Sequence, residues 1–292
     1  MVLVEIFKSL RPYQWTKNLF VFAPLIFSQN VFHVPYLFKT ILAFAIFCIL
    51  SGAVYIWNDL RDIEEDKLHP LKSQRPLASG RLGKTPAAAA FVVFSLVALG
   101  CASLLNEAFF ILALAYFLLQ ILYSVWLKHV VILDVLLIAA GFLLRVSAGG
   151  VVILVDISDW LLICTFLLAL FIALSKRRHE LVLLEKNAGN HRPILQEYSP
   201  YLLDQMISVV TASTVVAYCL YTISEETVAK FGSSRLIYTV PFVLYGIFRY
   251  LYLIHKKGEG GSPESLILKD KPFLAGILLW IISAIIILYV RI

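Results

Sequence analysis

The feature that most constrains this chain is a series of nine long apolar blocks. They cover 18–35, 38–57, 87–105, 108–127, 131–153, 159–175, 201–223, 236–254 and 272–290. At 1.5 Å per residue, a block of this length as a helix crosses, or nearly crosses, the ~30 Å hydrocarbon layer of a bilayer. No block alternates polar and apolar residues, so a membrane β-barrel is excluded. The expectation is an all-α membrane protein of about nine transmembrane helices, in one polytopic domain over residues 1–292. Composition agrees: 60% of residues are hydrophobic and 15% are charged, against about 25% charged in soluble domains. A soluble enzyme, a disordered chain and a disulfide-stapled secreted domain are thereby excluded.

Two blocks are weaker than the rest. Pro24 and Gln29 interrupt the first, and the sixth is short, with Trp160 available as an interfacial anchor. Glu5, Lys8, Arg11 and Lys17 interrupt the N-terminus too often for the apolar core of a cleavable signal peptide. Cys48, Cys101, Cys164 and Cys219 all fall within blocks, with no C-x-x-C pair, and read as reduced packing residues.

Nine crossings put the two termini on opposite sides. With that topology, 20 of the 25 Lys and Arg residues lie on one side, which the positive-inside rule makes cytoplasmic. The expected location is the cytoplasmic (inner) membrane, with the N-terminus in the cytosol. The net charge of +6 is then explained by topology and anionic head groups, with no nucleic-acid module in view.

The stretch 58–86, NDLRDIEEDKLHPLKSQRPLASGRLGKTP, is the one dense polar cluster. Asp59, Asp62, Glu64, Glu65 and Asp66 supply five of the 19 acidic residues within eight positions. On a helix, Asn58, Asp62 and Asp66 share a face at i, i+4 and i+8. Oxygen ligands stacked in this way, with Asp59 beside them, suit a hard divalent cation such as Mg²⁺. The alternative is a solvated acidic loop that balances its neighbouring cations. Lys67, Lys72, Arg75, Arg81 and Lys84 follow, and acid for a metal then base for phosphate oxygens describes a diphosphate site.

The pattern N-D-x-x-D-x-x-x-D followed by R-P-L-x-S-G resembles the first aspartate-rich motif of the UbiA superfamily of intramembrane prenyltransferases. The resemblance implies a helical bundle whose central cavity opens to the cytosol and where Mg²⁺ holds a diphosphate. Ordinary members carry a second motif, D-x-x-x-D, in the loop after the sixth span. This sequence has SKRRHELVLLEKNAGNHRPILQEY there, with no aspartate. That departure, with RPYQWTKN at 11–18, YSVWLKHVVILDV at 123–135, GFLLRVSAGG at 141–150 and SKRRHEL at 175–181, resembles the decaprenyl-phosphate 5-phosphoribosyltransferase branch. What that branch implies is transfer of 5-phosphoribose from phosphoribosyl pyrophosphate to a polyprenyl phosphate, with release of pyrophosphate, toward cell-envelope polysaccharide precursors. A homo-oligomer is compatible with it.

On this resemblance Asn58, Asp59, Asp62 and Asp66 hold Mg²⁺. Lys17, Lys72, Arg75, Lys128, Arg145, Lys176 and Arg177 are candidates for phosphates. Tyr123, Asp134 and Glu180 meet ribose hydroxyls or orient the cations. Asp62, Asp66, Lys17, Arg145 and Glu180 are the expected catalytic set. Lys176 and Glu180 are one helical turn apart. Plainer readings stand beside these. Lys17 marks an interface, Lys128 and His129 belong to a positive-inside loop, Asp134 pairs with Lys128, and Arg177 and Arg178 bind head groups. Arg145 resists such a reading, because an unpaired cation inside a span costs at least ~2.5–3.5 kcal/mol. It needs the cavity, a counter-ion or a phosphate, with Gly141, Gly149 and Gly150 allowing close packing or a break nearby. His33, His69, His191 and His255 read as surface residues. The rivals are an aromatic prenyltransferase using isoprenyl diphosphate, against which the missing second motif argues, and a transporter, for which paired broken helices are lacking.

Overall fold

The computed structural model describes residues 2–68, 70, 72–185, 193–258, 266 and 269–289. Helix accounts for nearly all of them. The helices are α1 (Val2–Ser9), α2 (Ala23–Phe27), α3 (Val34–Arg61), α4 (Ile63–Leu68), α5 (Lys84–Leu105), α6 (Glu107–Val125), α7 (Leu133–Val152), α8 (Asp159–Glu185), α9 (Pro200–Ile223), α10 (Glu225–Phe231), α11 (Val240–Lys257) and α12 (Lys271–Tyr289). Among the described residues, eight helices are long and apolar enough to cross a membrane. They correspond to every expected block except the first. The chain forms two compact units, Met1–Ile157 and Ser158–Ile292.

The first block differs from expectation in kind. It is a 3-10 helix over Pro12–Phe22, eleven residues long, followed by the five residues of α2. The 3-10 rise of ~2.0 Å per residue stretches these sixteen residues to about 30 Å, the length of a hydrocarbon crossing. Its contacts run backward along α3. Arg11 meets Asp59. Asn18 reaches Ser51 at 3.1 Å and Cys48 at 3.4 Å. The Phe22 and Phe44 rings lie 5.6 Å apart. The block therefore traverses α3 in reverse without being a span-length α-helix. A 3-10 helix eclipses residues i and i+3, so Asn18 and Val21 fall on one line, and both are buried, as is Pro24 in α2. Gln29, at φ 61, then turns the chain toward α3.

The core of the first unit is aromatic. Phe47 of α3 lies edge-on to Phe109 at 5.9 Å and to Tyr116 at 5.3 Å, both of α6. Val21, Leu25, Ala148 and Val152 complete it from the 3-10 segment, α2 and α7. A second cluster lies near the C-terminal end of α3, where Leu10, Ile56, Ile63, Leu77, Leu82 and Ala87 pack together. That cluster fixes the loop between α4 and α5. The R-P-L-x-S-G run forms its turn: the Ser79 amide donates to the Arg75 carbonyl and that of Leu82 to the Pro76 carbonyl, both at 2.9 Å, while Gly80 takes φ 75. A positive φ favours glycine at this position.

In the second unit α8 packs on α9, and α11 on α12. Arg178 of α8 donates to Asp204 of α9 at 2.5 and 3.3 Å. A hydrogen-bond chain inside the unit runs from Trp280 Nε1 to the Tyr218 hydroxyl at 2.8 Å and on to Thr239 Oγ1 at 2.6 Å. The four cysteines are free thiols. His33 and His255 are exposed as expected, and His69 and His191 lie outside the described residues.

Candidate functional site

The expected helix continuation past Asn58 holds with one bend. α3 ends at Arg61, and Asp62 leaves helical geometry at φ −99, ψ 18. The backbone thread survives: Asp62 N–H donates to the Asn58 carbonyl at 2.9 Å, and Asp66 N–H to the Asp62 carbonyl at 2.8 Å. Asn58, Asp62 and Asp66 therefore keep their one-turn spacing. The five acids do not behave alike. Asp59 and Asp66 are 2% and 3% exposed and Asp62 is half-buried, while Glu64 and Glu65 face outward. Burial of Asp59 and Asp66 rules out the solvated loop for them, whereas Glu64 fits it, paired with Lys67 at 2.9 Å.

Three cations meet the aspartates. Arg75 Nη1 donates to Asp66 Oδ2 at 2.5 Å and to Asp59 Oδ1 at 3.1 Å. Arg11 also donates to Asp59 Oδ1. Lys128, buried on a short 3-10 turn (Leu127–His129), donates to Asp62 Oδ1 at 2.7 Å. Lys128 is thus drawn to the motif across 66 positions of sequence. Charges this poorly solvated need partners, since an isolated buried carboxylate is far costlier than a paired one.

The other candidates in the first unit stand around this cluster or apart from it. Lys17 is half-buried on the 3-10 segment and donates to Gln14 at 3.3 Å. Lys72 is half-buried at the start of the turn Lys72–Gln74, and Tyr123 is half-buried near the end of α6. Asp134 is wholly buried in the first turn of α7. Among the described residues, no carboxylate pairs with Arg145. Its partners are the neutral oxygens of Asn18, Gly141 and Tyr116 and the aromatic faces of Tyr116 and Phe142.

A hard cation fits the motif. Among the described residues Asn58 Oδ1 and Asp59 Oδ2 are buried oxygens with no hydrogen-bond donor, and Asp59 shares Arg75 with Asp66. Among the described residues no three His, Cys, Asp or Glu side chains converge on one metal position. Mg²⁺ in proteins takes one or two carboxylates and completes its octahedron with water and substrate phosphate.

In the second unit Lys176, Arg177 and Glu180 all lie on α8. Arg177 is buried and donates to Glu180 at 2.7 Å, so Glu180 meets the cation three residues before it. Arg178 turns to Asp204 instead.

The sequence of residues 19–268 matches the UbiA prenyltransferase family model. The chain belongs to the UbiA prenyltransferase family. Among curated UbiA-related proteins, the decaprenyl-phosphate phosphoribosyltransferase of Corynebacterium glutamicum is 32% identical over 97% of this chain and 86% of its own length. That of Mycobacterium tuberculosis is 30% identical over 94% and 91%. Among solved structures, a UbiA homolog from Archaeoglobus fulgidus bound to DMAPP and Mg²⁺ superposes with a TM-score of 0.73 at 20% identity, over 98% of this chain and 99% of that one. This likeness shows the UbiA fold.

Two contacts escaped the sequence reading. Arg11 was visible only as part of a motif string, and nothing local marks its reach to Asp59. Arg249 donates to both oxygens of Asp270, at 3.1 and 2.8 Å, and Asp270 accepts the Phe273 amide at 2.8 Å, capping α12. The Arg249 hydrogen bond is the main reason that the Asp270 carboxyl titrates below the usual carboxylate range. A depressed carboxylate contributes stability that is complete above its unfolded pKa and is lost as pH falls through the folded pKa. Hydrogen exchange in the first turn of α12 is therefore expected to accelerate as pH is lowered from 5 toward 3, after correction for intrinsic rates, and Asp270→Asn to remove that pH dependence.

Proposed function

We propose that this chain transfers 5-phosphoribose from phosphoribosyl pyrophosphate to a polyprenyl phosphate and releases pyrophosphate. The observation that carries this reading is the placement of Arg75 and Lys128, which reach the three motif aspartates from two separate loops. Donor and acceptor together bring phosphate groups at three places, and a carboxylate site already interleaved with cations suits that load. The names of the relatives from C. glutamicum and M. tuberculosis support the same donor and acceptor classes. The match across 19–268 runs through both units and supports reading residues 1–292 as one transferase domain.

In this reading an oxygen of the lipid phosphate, already anionic, attacks C1 of the ribose as the C1–O bond to pyrophosphate breaks. C1 passes through oxocarbenium character and inverts. No general base is needed, so catalysis consists of alignment and charge stabilisation. Asn58, Asp59, Asp62 and Asp66 would hold Mg²⁺, which would supply positive charge to the departing pyrophosphate. Arg75 and Lys128 orient the carboxylates and offer N–H donors to phosphate oxygens. Lys17, Lys72, Lys176 and Arg177 bind the remaining phosphates. Tyr123, Asp134 and Glu180 meet ribose hydroxyls or hold those cations.

The membrane reading extends the same way. With the 3-10 block as a ninth crossing, the N-terminus and the motif lie on the cytosolic side of the inner membrane, where the donor is soluble.

The deciding experiment compares donors. Purified chain in detergent is incubated with labelled phosphoribosyl pyrophosphate and decaprenyl phosphate, or with isoprenyl diphosphate and an aromatic acceptor. The expected result is label in the lipid and one pyrophosphate per transfer with the first pair, abolished by EDTA. Turnover with the second pair alone would replace this reading with an aromatic prenyltransferase.

A further inference from the structure

Arg145 is 5% exposed, deep in α7, and its partners are unusual for a cation inside an apolar span. Its Nε donates to Asn18 Oδ1 at 2.8 Å, one Nη to the Gly141 carbonyl at 3.0 Å, and the other to the Tyr116 hydroxyl at 2.7 Å. The guanidinium carbon lies 4.7 Å from the Tyr116 ring centroid and 5.1 Å from that of Phe142. Neutral acceptors and aromatic faces hold the charge here. The planar five-donor fork suits this, because it reaches three acceptors in fixed directions while stacking on rings.

Asn18 is the hinge of the arrangement. It is 1% exposed, and its Nδ2 donates onward to Ser51 and Cys48 of α3. Two neighbours therefore grip the 3-10 segment at one residue, α7 through Arg145 and α3 through Ser51, while Tyr116 of α6 holds Arg145 in turn. Val21, three residues on, is pressed against Gly149 of α7. Seven residues upstream is Arg11, at φ 53, with its guanidinium 5.0 Å from the Tyr55 ring and its hydrogen bond on Asp59. A slip of one residue would move Arg11 by about 2 Å along α3, enough to break that hydrogen bond.

We infer that Arg145 is a positioning residue, which holds the 3-10 segment in register along α3 through Asn18 and so sets Arg11 on Asp59 of the donor site. This replaces the expectation that Arg145 binds a phosphate. It rests on the reading of the aspartate motif as the donor site, but its primary test reads the backbone and does not depend on transfer.

Amide hydrogen exchange of residues 12–22 is compared in detergent between wild type and Arg145→Met, a similar-sized apolar replacement that a membrane span accepts. Exchange across 12–22 is expected to rise at least tenfold, with the amides of α5 unchanged. Asn18→Asp keeps an acceptor for Nε and adds a counter-charge but loses the Nδ2 donor to Ser51 and Cys48, so its exchange is expected to rise less than that of Asn18→Ala. Asn18→Ala removes the bonds to Arg145, Ser51 and Cys48, and Tyr116→Phe removes the one to Arg145, so each is expected to speed exchange severalfold, and they carry the test if Arg145→Met does not fold. In transfer assays Arg145→Met and Arg11→Met are expected to be non-additive, the double variant no worse than the weaker single one. Unchanged exchange at 12–22 in Arg145→Met, or in both Asn18→Ala and Tyr116→Phe, overturns the inference. So does a purely KM-based loss for Arg145→Met that multiplies with that of Arg11→Met. A chain with no phosphoribosyl transfer at all but with the expected exchange changes would fail the functional reading alone.

Discussion

Asp62→Asn and Asp66→Asn are each expected to lower kcat/KM for phosphoribosyl transfer at least ~100-fold. Both substitutions preserve shape and remove one unit of negative charge. In the proposed site that charge binds the Mg²⁺ against which pyrophosphate leaves, an interaction worth several kcal/mol at the transition state, and each ~1.4 kcal/mol is tenfold in rate. The two variants should differ in detail. Asp66 shares Arg75 with Asp59, so Asp66→Asn leaves that arginine one carboxylate. Asp62 is the partner of Lys128, which is itself buried, so Asp62→Asn weakens the pairing of a cation that water reaches poorly. The Mg²⁺ concentration for half-maximal rate should rise in both. Rates near wild type, measured with labelled donor and lipid acceptor, would remove the metal assignment and leave the family membership untouched.

Gly149→Ala is expected to be the most damaging single methyl in the first unit. A β-carbon at 149 would stand 2.1 Å from the Val21 carbonyl oxygen and 2.9 Å from its carbon, where ordinary contact begins at 3.4 Å. The obstacle is backbone, and a backbone cannot rotate away as a side-chain tip does. Either α7 or the 3-10 segment must move by more than 1 Å, and both are held by the Arg145–Asn18 hydrogen bond. Overpacking of a closed core costs ~1–3 kcal/mol and more where nothing yields, so the upper end applies here. Thermal unfolding in detergent is expected to fall by ~5–10 °C. Gly100→Ala is the control. Nothing lies within 4 Å of that position in α5, so replacing a helical glycine there should be neutral or stabilising. Equal losses at 149 and 100 would show that the close approach to Val21 is not the cause.

Eight of the nine apolar blocks became span-length helices, and Asn58, Asp62 and Asp66 kept the one-turn spacing read from the sequence. Both follow from local rules. Block length against bilayer thickness, and the i to i+4 repeat of a helix, are properties of contiguous chain. The R-P-L-x-S-G turn was legible for the same reason, since Pro76 and Gly80 restrict the backbone wherever they occur.

Sequence by itself therefore determined a helical membrane protein with an acidic motif at the end of a span and with basic residues following it. Tertiary structure alone decided which acids are buried, which cation meets which aspartate, and what the intramembrane arginine touches. Arg75, Lys128 and Arg11 reach the motif across 16, 66 and 48 positions, and Arg145 reaches Asn18 across 127. The first block is the clearest case. Local preference offered a weak α-helix, and the segment became 3-10 where Asn18 and Val21, three residues apart, are both buried. Burial and pairing depend on which surfaces the fold brings together, and a buried charge or amide takes whichever partner that packing supplies.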